Sequence, residues 1–215
     1  MSRRRFGVAA AAVFVAVATT TRAQDCVTRP LLGSRMAVGA DVLHSSGGET
    51  GFAASLTGRV IDRVRLTGAY QGTRLDEVDH LAHEARFTLS APFTAAGLEL
   101  CPSAGYGYRR LSTQQSTTDG RVSTREMFVG ASLSRSFAMG RSSRLTPFIE
   151  PMLVRRNVTW ESIDAWLVEG DDRRSQVDLW LGTSLTTSRG ALIARFRAGN
   201  GSGFALGVVT GFGGR

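Results

Sequence analysis

Residues 51–70 read GFAASLTGRVIDRVRLTGAY. Phe52, Ala54, Leu56 and Val60 alternate with Ala53, Ser55, Thr57 and Arg59, and the alternation resumes as Val64, Leu66 and Tyr70 against Arg65, Thr67 and Gln71. Successive side chains of an extended chain point to opposite faces. Each run is therefore a strand with one apolar and one polar face, and the short break between them is a hairpin turn. Two surroundings suit the apolar face: a second sheet in a soluble sandwich, or lipid around a membrane barrel.

The pattern recurs to the end of the chain. A first strand at 35–43, RMAVGADVL, sets Met36, Val38, Ala40 and Val42 against Asp41 and the small residues. After the opening pair come EARFTLSAPF (84–93), GLELCPSAGYGYR (97–109), EMFVGASLSRSF (126–137), RLTPFIEPMLVRR (144–156), VDLWLGTSL (177–185), ALIARFRAG (191–199) and GFALGVVTGF (203–212). These are ten candidate strands, an even number as a bacterial single-chain barrel requires. Pro147 and Pro151 cannot donate to a ladder, and if the strands around them fail the count falls to eight.

The connections choose between the two surroundings. Those after strands two, four, six and eight are short: VIDR, TAAG, AMGRSS and SRG. Those after strands three, five and seven are long and polar: TRLDEVDHLAH (73–83), STQQSTTDGRVST (112–124) and NVTWESIDAWLVEGDDRRS (157–175). HSSGGE and NGSG, after strands one and nine, are short although they fall on the long side. A sandwich has no reason to sort loop length by parity, whereas an outer-membrane barrel has short periplasmic turns and longer external loops. On that topology Phe93, Phe137 and Phe212 fall at periplasmic strand ends, and Phe52, Tyr70, Tyr106, Tyr108 and Phe204 at external ends, all on the apolar face. Two such rings are the aromatic girdles expected at the two membrane interfaces. The opposite face carries Asp41, Arg65, Glu84, Arg86, Glu99, Arg109, Asp178, Arg195 and Arg197 among Gly, Ser and Thr, which reads as a narrow, charge-lined lumen.

In architecture, residues 33–213 resemble the small outer-membrane barrels of the OmpA and OmpX type. The resemblance rests on alternating strands, loop parity, girdles and a last strand ending in Phe212, and it carries no residue-specific motif. It implies an all-β fold: a closed antiparallel transmembrane barrel of ten strands, or eight, at 33–215. In the usual form the final aromatic is last; here Gly213, Gly214 and Arg215 follow it.

Residues 1–23 have the build of a secretory signal peptide: Arg3, Arg4 and Arg5, an apolar run from Phe6 to Ala18, then small residues up to Ala23. Cleavage is expected after Ala23. The apolar run is shorter than the ~20 residues of a spanning helix. Cys26 follows Ala23, Gln24 and Asp25 and lacks the aliphatic residue that precedes a lipidated cysteine, so lipid attachment is not expected. With the signal go four arginines, including Arg22, and the net charge falls from +8 to +4, which removes most of the case for nucleic acid. Every basic residue other than histidine is Arg, with no Lys; a GC-rich coding sequence accounts for that, and so does bidentate contact with lipid phosphates.

Exported chains sit in an oxidising compartment, where an even pair of cysteines tends to close. Cys101 points inward about four residues into its strand, and the extended chain from Cys26 is long enough to reach it. A Cys26–Cys101 disulfide is expected, folding residues 24–32 into the periplasmic mouth as a plug.

Some small barrels are lipid-modifying enzymes or proteases, so candidate nucleophiles and bases need weighing. His44 and Ser45 are sequence neighbours on one strand and point to opposite faces, which suits no common site. Asp79, His80 and His83 read as solvated loop residues, and the Asp76, Glu77, Asp79, Glu84 cluster lacks the turn glycine of a calcium loop. Trp160, Ile163, Trp166, Leu167 and Val168 form an apolar stripe near helical spacing, suited to packing on the rim. No catalytic residue, metal site or cofactor is expected. The expected role is a non-enzymatic, structural or surface-interaction barrel in contact with outer-membrane lipid, lipopolysaccharide and the barrel-assembly machinery, its oligomeric state open. An outer-membrane enzyme acting on lipid A or phospholipid, and a soluble periplasmic ligand-binding barrel, are the alternatives.

Overall fold

Half-apolar strands laid side by side pair their backbones but leave two open edges, and this chain removes the edges by joining its last strand to its first. β12 (Gly203–Phe212) pairs antiparallel with β1 (Met36–Ser45), from Met36 opposite Phe212 to Ser45 opposite Gly203. The computed structural model describes residue 26 and residues 34–46, 48–61, 63–75, 78–115, 118–162, 170–198 and 202–212. Residues 1–23, the expected signal, and residues 24–32 apart from Cys26 lie outside the described residues. So do Asp76 and Glu77, the apolar stripe at 163–168 and the side chains of Asp79, His80 and Trp160.

Between the closing strands run β2 (Glu49–Ile61), β3 (Val64–Leu75), β4 (Val78–Ser90), β5 (Phe93–Ala95), β6 (Leu98–Gln115), β7 (Thr118–Ser134), β8 (Phe137–Ala138), β9 (Arg144–Ser162), β10 (Gly170–Thr186) and β11 (Ala191–Ala198). The short pieces β5 and β8 continue β4 and β7, so the wall is an all-β, closed antiparallel barrel of ten staves. Prolines explain both interruptions. Residues 91–92, between β4 and β5, lie opposite Cys101 and Pro102, and the break between β7 and β8 lies opposite Pro147. A proline offers no N–H to the facing carbonyl, so the ladder is interrupted there and resumes beyond. Pro147 and Pro151 do not end their strand. Both point outward on β9, the longest strand of the barrel.

A row of partners from Asp41 through Ala53, Gln71, Glu84, Arg109, Thr124 and Val158 reaches β10 at Asp172. In the other direction, through Gly207 and Ile193, it reaches β10 at Ser184, a stagger of twelve residues. Strands staggered this far tilt about 40° from the axis, within the usual range for closed barrels.

The described residues of the long connections expected at 73–83, 112–124 and 157–175 belong to the wall. β3 and β4 extend to Leu75 and Val78, β6 and β7 to Gln115 and Thr118, β9 and β10 to Ser162 and Gly170. Polar residues there lack the dyad signature because no lipid and no packed core selects an apolar face. The rim is consequently uneven, tall along β6–β10 and low along β11, β12 and β1, where strands have 8 to 10 residues.

Outward side chains are large and apolar all round the wall: Leu56, Leu66, Phe87, Leu89, Met127, Val129, Leu153, Leu181, Leu192, Leu206 and Val208 are all exposed. A groove of about 700 Å³ on the low side is floored by Ala40, Ala54 and Ala194 and bordered by Phe52, Leu192 and Leu206. Continuous apolar surface on this scale suits hydrocarbon, not water. Placing Arg at Leu56, midway down β2, is expected to cost about 2–4 kcal/mol of folding stability in lipid, against about 0–1 kcal/mol for Arg at the higher Phe52. Equal tolerance at the two positions, measured by urea titration of vesicle-folded protein, would remove the lipid-facing assignment.

Candidate functional site

The inner face holds the chemistry. Parity along each strand sends alternate residues inward, and among the described residues thirteen charged side chains end up buried there. Asp41, Arg65, Glu84, Arg86, Glu99, Arg109, Asp178, Arg195 and Arg197 are each buried, and Glu49, Glu126, Glu150 and Arg156 join them. Seven carboxylates thus meet six guanidinium groups. So near a balance leaves little net field along the axis, and unpaired burial of any of them would be costly.

Six of these residues form one chain of contacts across five staves. Arg86 pairs with Glu84 on its own strand and, at 3.3 Å, with Glu126 on β7. Glu126 also accepts from Arg156 Nε on β9 at 2.7 Å. Arg156 Nη2 lies 3.7 Å from Asp178 on β10, and Asp178 accepts from Arg197 on β11 at 2.9 Å through each of its oxygens and from Gln176 at 2.7 Å. Glu84 faces Arg109 across the β4–β6 ladder. A separate pair, Arg195 with Asp41 at 3.3 Å, bridges β11 and β1.

The inward charges of the strands flanking β4, Arg65 on β3 and Glu99 on β6, do not stand beside Glu84 and Arg86. Arg65 stands opposite Ser90, six residues from Glu84 along β4. Glu99 stands opposite Ser134, eight residues below Gly107, the partner of Arg86; it accepts a hydrogen bond from Ser136 at 3.2 Å. The relative slide of the strands decides these partners.

Behind the ions lies an apolar layer that the alternation did not announce. Phe128, Met152, Val154 and Trp180 form one buried inward cluster, and Phe148, Ala191, Ile193 and Val209 another. The rings lie against the wall over glycines of the facing strand: a Cβ on Gly105 would stand 2.3 Å from the Phe128 ring, and one on Gly182 would stand 2.4 Å from Phe148. Only glycine permits that approach. The Arg86 guanidinium carbon sits 5.8 Å above the Phe128 ring and that of Arg195 5.5 Å above Trp180, so rings line the wall and cations cover them toward the axis.

Outside, the eight residues expected as girdles, Phe52, Tyr70, Phe93, Tyr106, Tyr108, Phe137, Phe204 and Phe212, are all exposed. Phe87 and Phe196, also exposed, join them at the external level, facing Tyr106 and Phe204 across their ladders. From Phe204 to Phe212 on β12 is eight residues. That is about 26 Å of strand, or about 20 Å of height once tilted, near the ~25 Å of an outer-membrane apolar band.

Cys26 and Cys101 are joined by a disulfide, their Cα atoms 5.8 Å apart. Both are buried, Cys101 on the inward face three residues into β6, so residue 26 stands inside the short-turn end of the barrel. His44 and Ser45 part company: His44 lies outside, its ring tilted against Phe204 with Nδ1 3.3 Å from Thr50 Oγ1, and Ser45 is buried within. His83 is also outside, hydrogen-bonded to the Tyr70 hydroxyl.

A charged interior inside an apolar wall is the inverse of a soluble protein. The fold is that of the small outer-membrane β-barrels. It is similar to the translocator domain of the autotransporter NalP from Neisseria meningitidis, with 12% identity, 84% of this chain and 89% of that one covered and a TM-score of 0.45. It is similar too to the N-terminal barrel of Pseudomonas aeruginosa OprF (14%, 81% and 96%, TM-score 0.39) and to Ail of Yersinia pestis (9%, 83% and 96%, TM-score 0.38). At such scores the likeness carries no functional argument. No family model matches the chain, and no curated protein matches it in sequence.

Proposed function

We propose that the protein is a non-enzymatic integral barrel of the bacterial outer membrane whose lumen is sealed by its own side chains, with a structural or surface-interaction role for its tall rim. The observation that carries this reading is the ion-pair chain Glu84–Arg86–Glu126–Arg156–Asp178–Arg197 strung through the interior behind an apolar outer wall. Residues 1–23 serve as a cleaved export signal, the barrel-assembly machinery inserts the mature chain, and lipid with lipopolysaccharide surrounds it. Tied down by Cys26, residues 24–32 fold into the periplasmic mouth and add a second closure. The opposite facing of His44 and Ser45 favours a binding and scaffolding role over hydrolysis.

Planar-bilayer recording of the purified, folded protein tests it. No stable conductance step is expected, while unboiled protein migrates faster than boiled protein on a detergent gel and the mature N-terminus begins at Gln24. Discrete, long-lived conductance steps would make the lumen a pore and overturn the sealed reading.

A further inference from the structure

The tall side of the wall ends in a line of cations facing outward. Arg110 on β6, Arg125 on β7 and Arg155 on β9 are exposed, and each adjoins in sequence a buried inward charge, Arg109, Glu126 and Arg156. Parity therefore places all three outside the barrel. The register places them level. Arg125 faces Tyr108 and Arg110 faces Ser123, so Arg110 and Arg125 are diagonal neighbours; Arg125 faces Asn157 and Arg155 faces Met127, so Arg125 and Arg155 are diagonal as well. Diagonal positions across a ladder lie about 7–8 Å apart, which makes a row of three guanidinium groups roughly 15 Å long. His83 extends the row, facing Arg110 on β4.

Among the described residues nothing acidic answers them on that surface. The described outward side chains of β4, β6, β7, β9 and β10 include no carboxylate. Directly below lie Tyr108, Met127 and Leu153, then Tyr106 and Val129, all exposed and apolar or aromatic. The opposite side, β11, β12, β1 and β2, has no exposed arginine at its external end among its described residues, Arg59 lying near the short-turn end of β2, and carries the apolar groove instead. A one-sided row of guanidinium groups at the top edge of a hydrocarbon-facing wall complements a molecule with phosphates above and acyl chains below. Arginine's planar fork meets phosphate through paired hydrogen bonds, and the contact strengthens at the low-dielectric edge of a membrane.

We propose that Arg110, Arg125 and Arg155 form a site for the phosphate groups of a phosphorylated outer-leaflet glycolipid, whose acyl chains run down the wall past Tyr108, Met127 and Leu153. The proposal rests on the reading that this wall faces the outer membrane.

Native mass spectrometry of the detergent-folded protein tests it, with a bis-phosphorylated glycolipid, its dephosphorylated counterpart and inorganic phosphate as probes. The phosphorylated lipid is expected to bind at least roughly tenfold more tightly than the dephosphorylated one, the size of one or two charge-assisted contacts. The R110Q/R125Q/R155Q variant loses that preference. A control with the same charge loss at the short-turn end, R35Q/R63Q/R189Q, keeps it. Equal binding of the two lipids overturns the site, as does equal loss in the control; competition by inorganic phosphate at matching concentration would make it a site for the free ion. Insertion of the same variants into lipid vesicles is scored separately. Failure to insert would count against the membrane reading, whereas insertion without lipid discrimination removes only the site.

Discussion

Replacing Glu126 by glutamine is expected to lower the folding free energy of the barrel by about 3–5 kcal/mol, the range typical of removing one partner from a buried ion pair. Glu126 is the junction of the lumenal chain, accepting from Arg156 Nε at 2.7 Å and lying 3.3 Å from Arg86. Both arginines are buried, so neither finds bulk water when the carboxylate is neutralised, and the two like charges are left facing each other across β7. The neighbouring outward residue supplies the control: Met127→Leu keeps the apolar wall and changes no lumenal charge. Urea titration of vesicle-folded protein reads both. A Glu126→Gln barrel as stable as the parent would mean that water already solvates the network, and the sealed lumen would fall with it.

Removing the disulfide, as Cys26→Ser with Cys101→Ser, is expected to cost about 4 kcal/mol in the chain-entropy model, because the bond closes a loop spanning 75 residues in sequence. That loop contains β1 to β4 entire, so the unfolded state is held together across nearly half the wall. Stability and closure separate in this variant. The ion-pair chain remains, so conductance is expected to stay at the baseline even as the urea midpoint drops. A conductance that rises with the double substitution would assign the seal to residues 24–32 and not to the lumenal side chains. An unchanged midpoint under non-reducing conditions would show that the bond constrains the unfolded chain less than its length implies.

Much of the site was legible from parity alone. The nine inward charges from Asp41 to Arg197 follow from the apolar phase of their strands, and Glu126 was available on the same terms, one residue before the outward Met127. Glu150 and Arg156 were hidden by β9, whose two faces are both largely apolar: Phe148, Met152 and Val154 point in while Ile149 and Leu153 point out. A strand greasy on both sides has no period of two to read. Glu49 was hidden differently, in a stretch that reads as a turn but continues the wall as the first residue of β2.

What the sequence determined by itself was facing. Side-chain direction in a strand is local, set by the pleat of the backbone, so Leu56, Phe87 and Leu206 were consigned to the outside and Arg86 and Asp178 to the inside before any strand met another. What only the tertiary structure decided was who meets whom. The twelve-residue stagger comes from closing the wall on itself, a condition no single strand carries, and it brings Arg86 to Glu126 and holds Arg65 and Glu99 away. The same closure carried the polar stretches around 75, 115 and 162 into strands, because a hairpin already paired below them gains another backbone hydrogen bond with each added residue, whatever the side chains prefer.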